Sequence, residues 1–204
     1  MPAAPDQIVH IVDDDEALRD SLAWMLEANG YAVATHESGE AFLAACTPDM
    51  IGCIVLDVRM PGISGLTVLE QLLAQGVDQP VILLTGHGTV EMCRRAFKTG
   101  AAEFLEKPVD DEVLIEALQN AVRQHVRSRE RHQADQQARE RYAQLSARER
   151  EVLGLIVEGL TNKEIGRALE LSPRTVETHR ANLFAKLGAE SLAQLIRRYA
   201  ALVE

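Results

Sequence analysis

Four places in this chain carry groups able to do chemistry together: Asp13-Asp14-Asp15, Asp57, Thr85 and Lys107-Pro108. Each closes a short apolar run, which reads as a strand stopping at a polar residue. Crowded carboxylates repel one another, and a hard divalent cation is the usual remedy. Magnesium takes few protein oxygens and keeps waters and phosphate oxygens, which suits Asp13, Asp14 and Asp57. A carboxylate can also act as a nucleophile and form an acyl phosphate. Phosphoryl transfer asks a protein for positioning and countercharge, which Lys107 and a metal supply, with Thr85 as a hydroxyl donor. Singly, each residue has a plainer explanation, an acid capping a helix or a lysine in a surface ion pair. As a set, one at the end of each of several strands, they favour a site.

The elements that must position them follow a regular alternation. Strands are expected at Ile8–Val12, Tyr31–Thr35, Gly52–Asp57, Pro80–Leu84 and Ala102–Leu105. Helices are expected from Glu16 to Ala28, Gly39 to Cys46, Leu66 to Gln75, Thr89 to Thr99, and from Asp110 through Val122. Five strands alternating with five helices predict a doubly wound parallel sheet. The unbroken apolar run from Cys53 to Leu56 suits a strand covered on both faces. In a parallel sheet the strand ends share one edge, where open α/β sheets bind ligands.

Composition sets the outer limits. Hydrophobic content of 47% and charged content of 25% over 204 residues suit one or two soluble domains. No apolar run nears the roughly 18 residues of a spanning helix, and MPAAPDQIVH lacks the pattern of a signal peptide, so a cytoplasmic protein without membrane contact is expected. Cys46, Cys53 and Cys93 show no metal or redox spacing and read as reduced core residues. The net charge of −10 is unevenly spread: residues 1–122 hold 20 acids and 6 Lys+Arg, for −14, and residues 123–204 come to +4. That asymmetry suggests an acidic front module and a rear one facing nucleic acid.

Residues 123–144, RQHVRSRERHQADQQARERYAQ, contain no Gly or Pro and favour helix. They read as a helical linker continuing the fifth front helix, with their arginines on a solvated face. Beyond it, Ser146…Glu149 and Thr161…Glu164 are capping-box patterns, and Ser172-Pro173 pairs an N-cap with Pro at the first helical position. Four helices follow, near 147–158, 162–169, 173–187 and 191–203, and the short link between the second and third has helix-turn-helix spacing. On the third, Val176, Leu183, Phe184 and Leu187 form an apolar stripe. Arg174, Thr178, Ala181 and Asn182 lie opposite, with Glu177 at the flank. Glu177 suits cytosine and Asn182 adenine, and Lys163, Arg174, Thr175 and Lys186 suit phosphates. Ordinary exposed polar residues on a four-helix module would give the same spacing.

The segments VDDDEALR (12–19), VLDVRMPGISG (55–65), LLTGHG (83–88) and GAAEFLEKP (100–108) make residues 7–122 resemble the receiver domain of two-component response regulators. The resemblance implies a flavodoxin-like sheet of order 2-1-3-4-5. It makes Asp57 the phosphoacceptor, and Asp13 and Asp14 the acidic magnesium pair. The backbone carbonyl of Arg59 becomes a further metal ligand, Lys107 the phosphate partner, and Thr85 and Phe104 the switch pair. It also implies a cis Lys107-Pro108 bond. Residues 145–188 are similar to the LuxR-type helix-turn-helix, with TNKEI, SPRTVETHR and KLG in place. That likeness puts Glu177, Thr178 and Ala181 towards bases and Lys163 at the backbone, and makes the last helix, with Leu192, Leu195, Ile196 and Tyr199, a dimer contact. The combination marks the NarL/FixJ group, and the TGHG loop and long polar connector look most like the FixJ branch.

The expectations are therefore a receiver at 1–122, a helical linker at 123–144 and a four-helix DNA-binding domain at 145–204. The implied protein is a regulator and not an enzyme, phosphorylated by a sensor histidine kinase and binding promoter DNA. It is expected to dimerise on phosphorylation through the face bearing Val90, Arg94, Arg95 and Lys98, and to meet RNA polymerase. Two rival readings stand beside it. One is an adaptor whose rear domain binds protein. The other is a haloacid-dehalogenase-type enzyme, which needs an acid two residues after its nucleophile, where Arg59 stands.

Overall fold

Alternation along the strands decides the architecture. The computed structural model describes residues 7–47 and 50–203. The strands are β1 (Gln7–Val12), β2 (Ala32–His36), β3 (Ile51–Asp57), β4 (Val81–Thr85) and β5 (Glu103–Glu106), all parallel, in the order β2-β1-β3-β4-β5. Helices α1 (Glu16–Ala28), α2 (Gly39–Ala45), α3 (Gly65–Ala74) and α4 (Val90–Thr99) follow the first four strands, and α5 runs from Asp111 to Ala143. Successive side chains of a strand point to opposite faces. On one face Val12, Ile54, Leu56, Val81 and Leu83 pack with Phe42, Leu66, Leu69, Leu72 and Ala96 of α2, α3 and α4. On the other, Val9, Ile11, Cys53, Val55, Ile82 and Leu84 pack with Leu22 and Leu26 of α1 and Leu114 and Leu118 of α5. Residues 52–57 of β3 are buried throughout, as expected of a strand covered on both sides.

Register gathers the strand ends. Val12 pairs with Leu56, so Asp13 comes abreast of Asp57. Asp57 pairs with Leu84, and Thr85 with Glu106, so Thr85 and Lys107 follow in adjacent strands. The expected elements match in order and number, with ends shifted by a residue or two.

The chain divides into two compact units between Ser128 and Arg129, inside the stretch read from sequence as linker. The second unit holds the end of α5 and α6 (Ala147–Val157), α7 (Asn162–Ala168), α8 (Pro173–Leu187) and α9 (Leu192–Tyr199), followed by a 3₁₀ turn at Ala200–Leu202. Both capping boxes form, Ser146 with Glu149 and Thr161 with Glu164. Its core contains Val152, Leu153, Ile156, Ile165, Val176, Leu183 and Leu187. Two details here go beyond the sequence reading. Leu195 and Tyr199 are buried in this same core at 0% and 1% exposure, and the Tyr199 hydroxyl donates to Leu187 O at 2.7 Å. Leu192, 45% exposed, and the half-buried Ile196 are the two of the four expected contact residues that reach the surface. Ala138 and Tyr142 of α5 also enter this core, so the end of the expected linker is part of a packed unit.

Candidate functional site: an acidic cluster bridged by a lysine

The run Asp13-Asp14-Asp15 splits into three environments. Asp15 is the N-cap of α1, accepting from the amides of Ala17 and Leu18, so it is a structural acid. Asp14 is exposed, and Asp13 is 1% exposed. The carboxylates of Asp13, Asp14 and Asp57 can each place an oxygen within 4.8 Å of the others. Lys107 Nζ lies 2.5 Å from Asp13 Oδ2 and 2.8 Å from Asp57 Oδ1, bridging the two buried acids. The second oxygen of Asp57 accepts from the Arg59 amide at 3.0 Å. Arg19 Nη1 donates to the carbonyl of Asp13 at 2.6 Å and braces the end of β1, a contact that no sequence spacing signals.

Gly65 explains how tightly the loop after β3 closes. A Cβ there would lie 2.1 Å from Asp57 O, so only glycine lets α3 begin against the strand end. Its amide donates to Val58 O at 3.0 Å, holding the loop.

Burial raises the Asp57 carboxyl, an effect that the Lys107 ammonium and the Arg59 amide only partly offset and that the Asp13 charge reinforces. Burial pulls Lys107 downward, but its bonds to Asp13 and Asp57 outweigh that and leave it raised. The pocket therefore holds its lysine charged and its central acid short of positive countercharge. A hard divalent cation fits this donor set of clustered carboxylate oxygens.

Of the remaining expected residues, Thr85 is fully buried. Its hydroxyl accepts from the His87 amide at 3.3 Å and sits equally far from the His87 carbonyl. Phe104, in the middle of β5, packs beside α4 and not in the acidic pocket. Arg59 and His87 are exposed at its rim. The Lys107-Pro108 peptide is cis.

In the rear unit Val176, Leu183 and Leu187 are buried, and Arg174, Thr175, Glu177, Thr178, Ala181 and Asn182 are exposed on α8. Lys163, on α7, is exposed as well. Lys186, exposed on α8 like its neighbours, also has a partner within this unit. Its ammonium binds Glu149 at 2.7 Å, an acid of the α6 capping box that is only 4% exposed. That bond, together with the Ser146 amide and hydroxyl, holds the Glu149 carboxyl down at about 2 against the pull of burial.

Comparison with known proteins fits both units. Residues 9–119 match the response regulator receiver domain, and residues 143–199 match the bacterial regulatory proteins of the luxR family. The chain is 49% identical to the transcriptional regulatory protein FixJ of Azorhizobium caulinodans, over 93% of this chain and 90% of the relative. It is 47% identical to FixJ of Rhizobium meliloti, over 94% of each. The chain is a two-component response regulator of the NarL/FixJ group. Among solved structures this response regulator resembles StyR, at TM-score 0.85 and 36% identity over 96% of this chain and 99% of that one. It also resembles full-length FixJ from B. japonicum, at TM-score 0.62 and 38% identity over 98% of this chain and 100% of that one. The regulator's rear unit is thus a LuxR-type DNA-binding domain that serves transcription. Among the described residues no helix is long and apolar enough to cross a membrane.

Proposed function

We propose that this response regulator receives a phosphoryl group on Asp57 from a partner sensor histidine kinase and thereby controls its own binding to promoter DNA. The observation that carries the reading is the pocket in which Asp57 stands beside Asp13 and Asp14 with Lys107 across it. Asp13, Asp14, Asp57 and the backbone carbonyl of Arg59 would hold a magnesium ion, which would supply positive charge for the phosphoryl oxygens. A carboxylate oxygen of Asp57 forms the new O–P bond as the P–N bond to the kinase imidazole breaks, and the imidazole, which carries a proton on its other ring nitrogen, takes the P–N electron pair and leaves as the neutral ring. Lys107 exchanges part of its contact with Asp57 for a phosphoryl oxygen. No other chemistry is asked of the chain, which acts as a regulator and not as a turnover enzyme.

The charge gained at Asp57 draws the Thr85 hydroxyl inward from its His87 contacts and lets Phe104 follow. That changes the face bearing Val90, which is 89% exposed, and Arg94, Arg95 and Lys98, and favours pairing of two receivers. Two copies of α8 then meet successive major grooves of a pseudo-palindromic site. Glu177, Thr178, Ala181 and Asn182 face base edges there, and Lys163, Arg174 and Thr175 face phosphates. The work is cytoplasmic, beside RNA polymerase.

A DNA mobility-shift titration with acetyl phosphate and magnesium tests this reading. Phosphodonor is expected to strengthen binding of the parent and to leave Asp57→Asn unchanged. Equal strengthening in both would place the acceptor elsewhere, and a rear domain with no DNA affinity even at low salt would favour the adaptor reading.

A further inference from the structure

One contact on α8 comes from outside the four helices that make the helix-turn-helix domain. Arg141, on the last turn of α5 and before the matched luxR-family segment, donates Nη1 to Leu187 O at 3.1 Å. Leu187 is the last residue of α8, and the same carbonyl accepts the Tyr199 hydroxyl at 2.7 Å. The last carbonyls of a helix lack partners within it, and a cation there also meets the negative end of the helix dipole. Gly188 ends α8 in the left-handed conformation at φ 61°, and a Cβ at that position would lie 2.4 Å from Arg141 Nη1. The guanidinium thus fills the space that glycine leaves.

Arg141 is itself held firmly. Ala138, one turn earlier, is 3% exposed, and Tyr142 packs against the same core as Val176, Leu183 and Leu187. Arg150 of α6 stands 5.4 Å over the Tyr142 ring and donates to Ala143 O at 3.1 Å, so the end of α5 is pinned where Arg141 leaves it. Its neighbours on α5 include several other arginines, which is why sequence reading treats the whole basic run as solvated.

We infer that Arg141 is a positioning residue for DNA recognition: its guanidinium caps α8 and fixes where along its axis that helix presents Glu177, Thr178, Ala181 and Asn182. The inference rests on α8 being the recognition helix. Arg141 spends its charge on Leu187 and acts through α8 without touching DNA. Base contacts depend on register to within fractions of an ångström, and phosphate contacts tolerate more, so loss of the cap falls on discrimination.

The test uses the full chain, treated with acetyl phosphate and magnesium. A duplex is first enriched from a random pool by the parent protein, and affinity is then measured across salt for that duplex and for a random one. Arg141→Ala is expected to lose roughly tenfold on the enriched duplex, as for a charged hydrogen bond, and little on the random one, with the salt slope unchanged. Arg141→Lys should recover most of the loss. Faster amide exchange confined to residues 187–189 in the alanine variant, with β3 unaffected, shows that the cap alone has loosened. Equal losses on both duplexes with a slope lower by about one would make Arg141 a phosphate contact and overturn the inference. Unchanged affinity for both duplexes would overturn it too. If Arg141→Ala unfolds the unit, Arg141→Gln, which keeps a donor without charge, carries the test: retained discrimination supports the cap, and a parallel loss on both duplexes refutes it. A parent protein that enriches no sequence refutes the recognition-helix reading itself, before any variant is made.

Discussion

Replacing Lys107 by methionine would leave Asp13 and Asp57 facing each other with no ammonium between them. Their oxygens lie within 4.8 Å, and two charges at that separation repel by about 3.5 kcal/mol at an effective dielectric of about 20. That agrees with the roughly 3–5 kcal/mol cost of stripping one partner from a buried ion pair. One acid can escape the repulsion only by taking a proton. Burial already favours the protonated form of Asp57, and this escape, costly at pH 8, becomes cheaper as pH falls towards 5. The sign follows from linkage. A carboxyl raised in the folded state holds a proton that the unfolded chain has released, so the variant regains stability as pH falls. Urea unfolding, followed by hydrogen exchange of the β3 amides to read the front unit alone, should show Lys107→Met weaker than the parent by ~3 kcal/mol at pH 8. The gap should narrow as pH falls to 5. Magnesium should raise the variant more than the parent, because it binds where the ammonium was. A variant as stable as the parent at pH 8 without metal would refute the reasoning.

Two further outcomes follow from buried titratable groups. Burial, and then the neighbouring His36, hold His10 down to about 4, so the unfolded chain takes its proton first as pH drops from 6.5. The front unit should lose roughly 2 kcal/mol between pH 7 and 4.5, after allowing for screening on the half-buried His36 side, and His10→Leu should remove that limb of the stability profile. In the rear unit Glu149, held at about 2, supports stability above its ordinary range near 4.5 and loses it as pH falls towards 2. Glu149→Gln should abolish that acid limb and cost ~2 kcal/mol at pH 7, read by exchange of the α8 amides.

The receiver site was legible in sequence because each short apolar run stops at a polar residue, and parallel strands that stop together bring their terminal residues to one edge. Asp13, Asp57 and Lys107 needed nothing more. The sequence could not show which acid of the triplet caps α1, since Asp15 differs from its neighbours only in where the helix starts. Helical periodicity was likewise silent on Leu195 and Tyr199: an apolar stripe looks the same whether it faces its own core or a second copy. Lys186 and Arg141 escaped for a related reason. Long basic side chains reach several ångströms from their backbone, and their partners, Glu149 and the Leu187 carbonyl, come from other helices at no fixed spacing. The His10–His36 contact, 3.1 Å between ring nitrogens on adjacent strands, had no sequence signal either.

The central claim is that Asp57 alone becomes an acyl phosphate. Acyl phosphates are reduced by borohydride to the alcohol, which would leave homoserine in place of the phosphorylated aspartate. Phosphodonor treatment with magnesium, borohydride reduction and peptide mass mapping of the full chain should find homoserine at position 57 and nowhere else. Homoserine at position 13 or 14, or none in a chain that has taken up the phosphoryl group, would contradict the account.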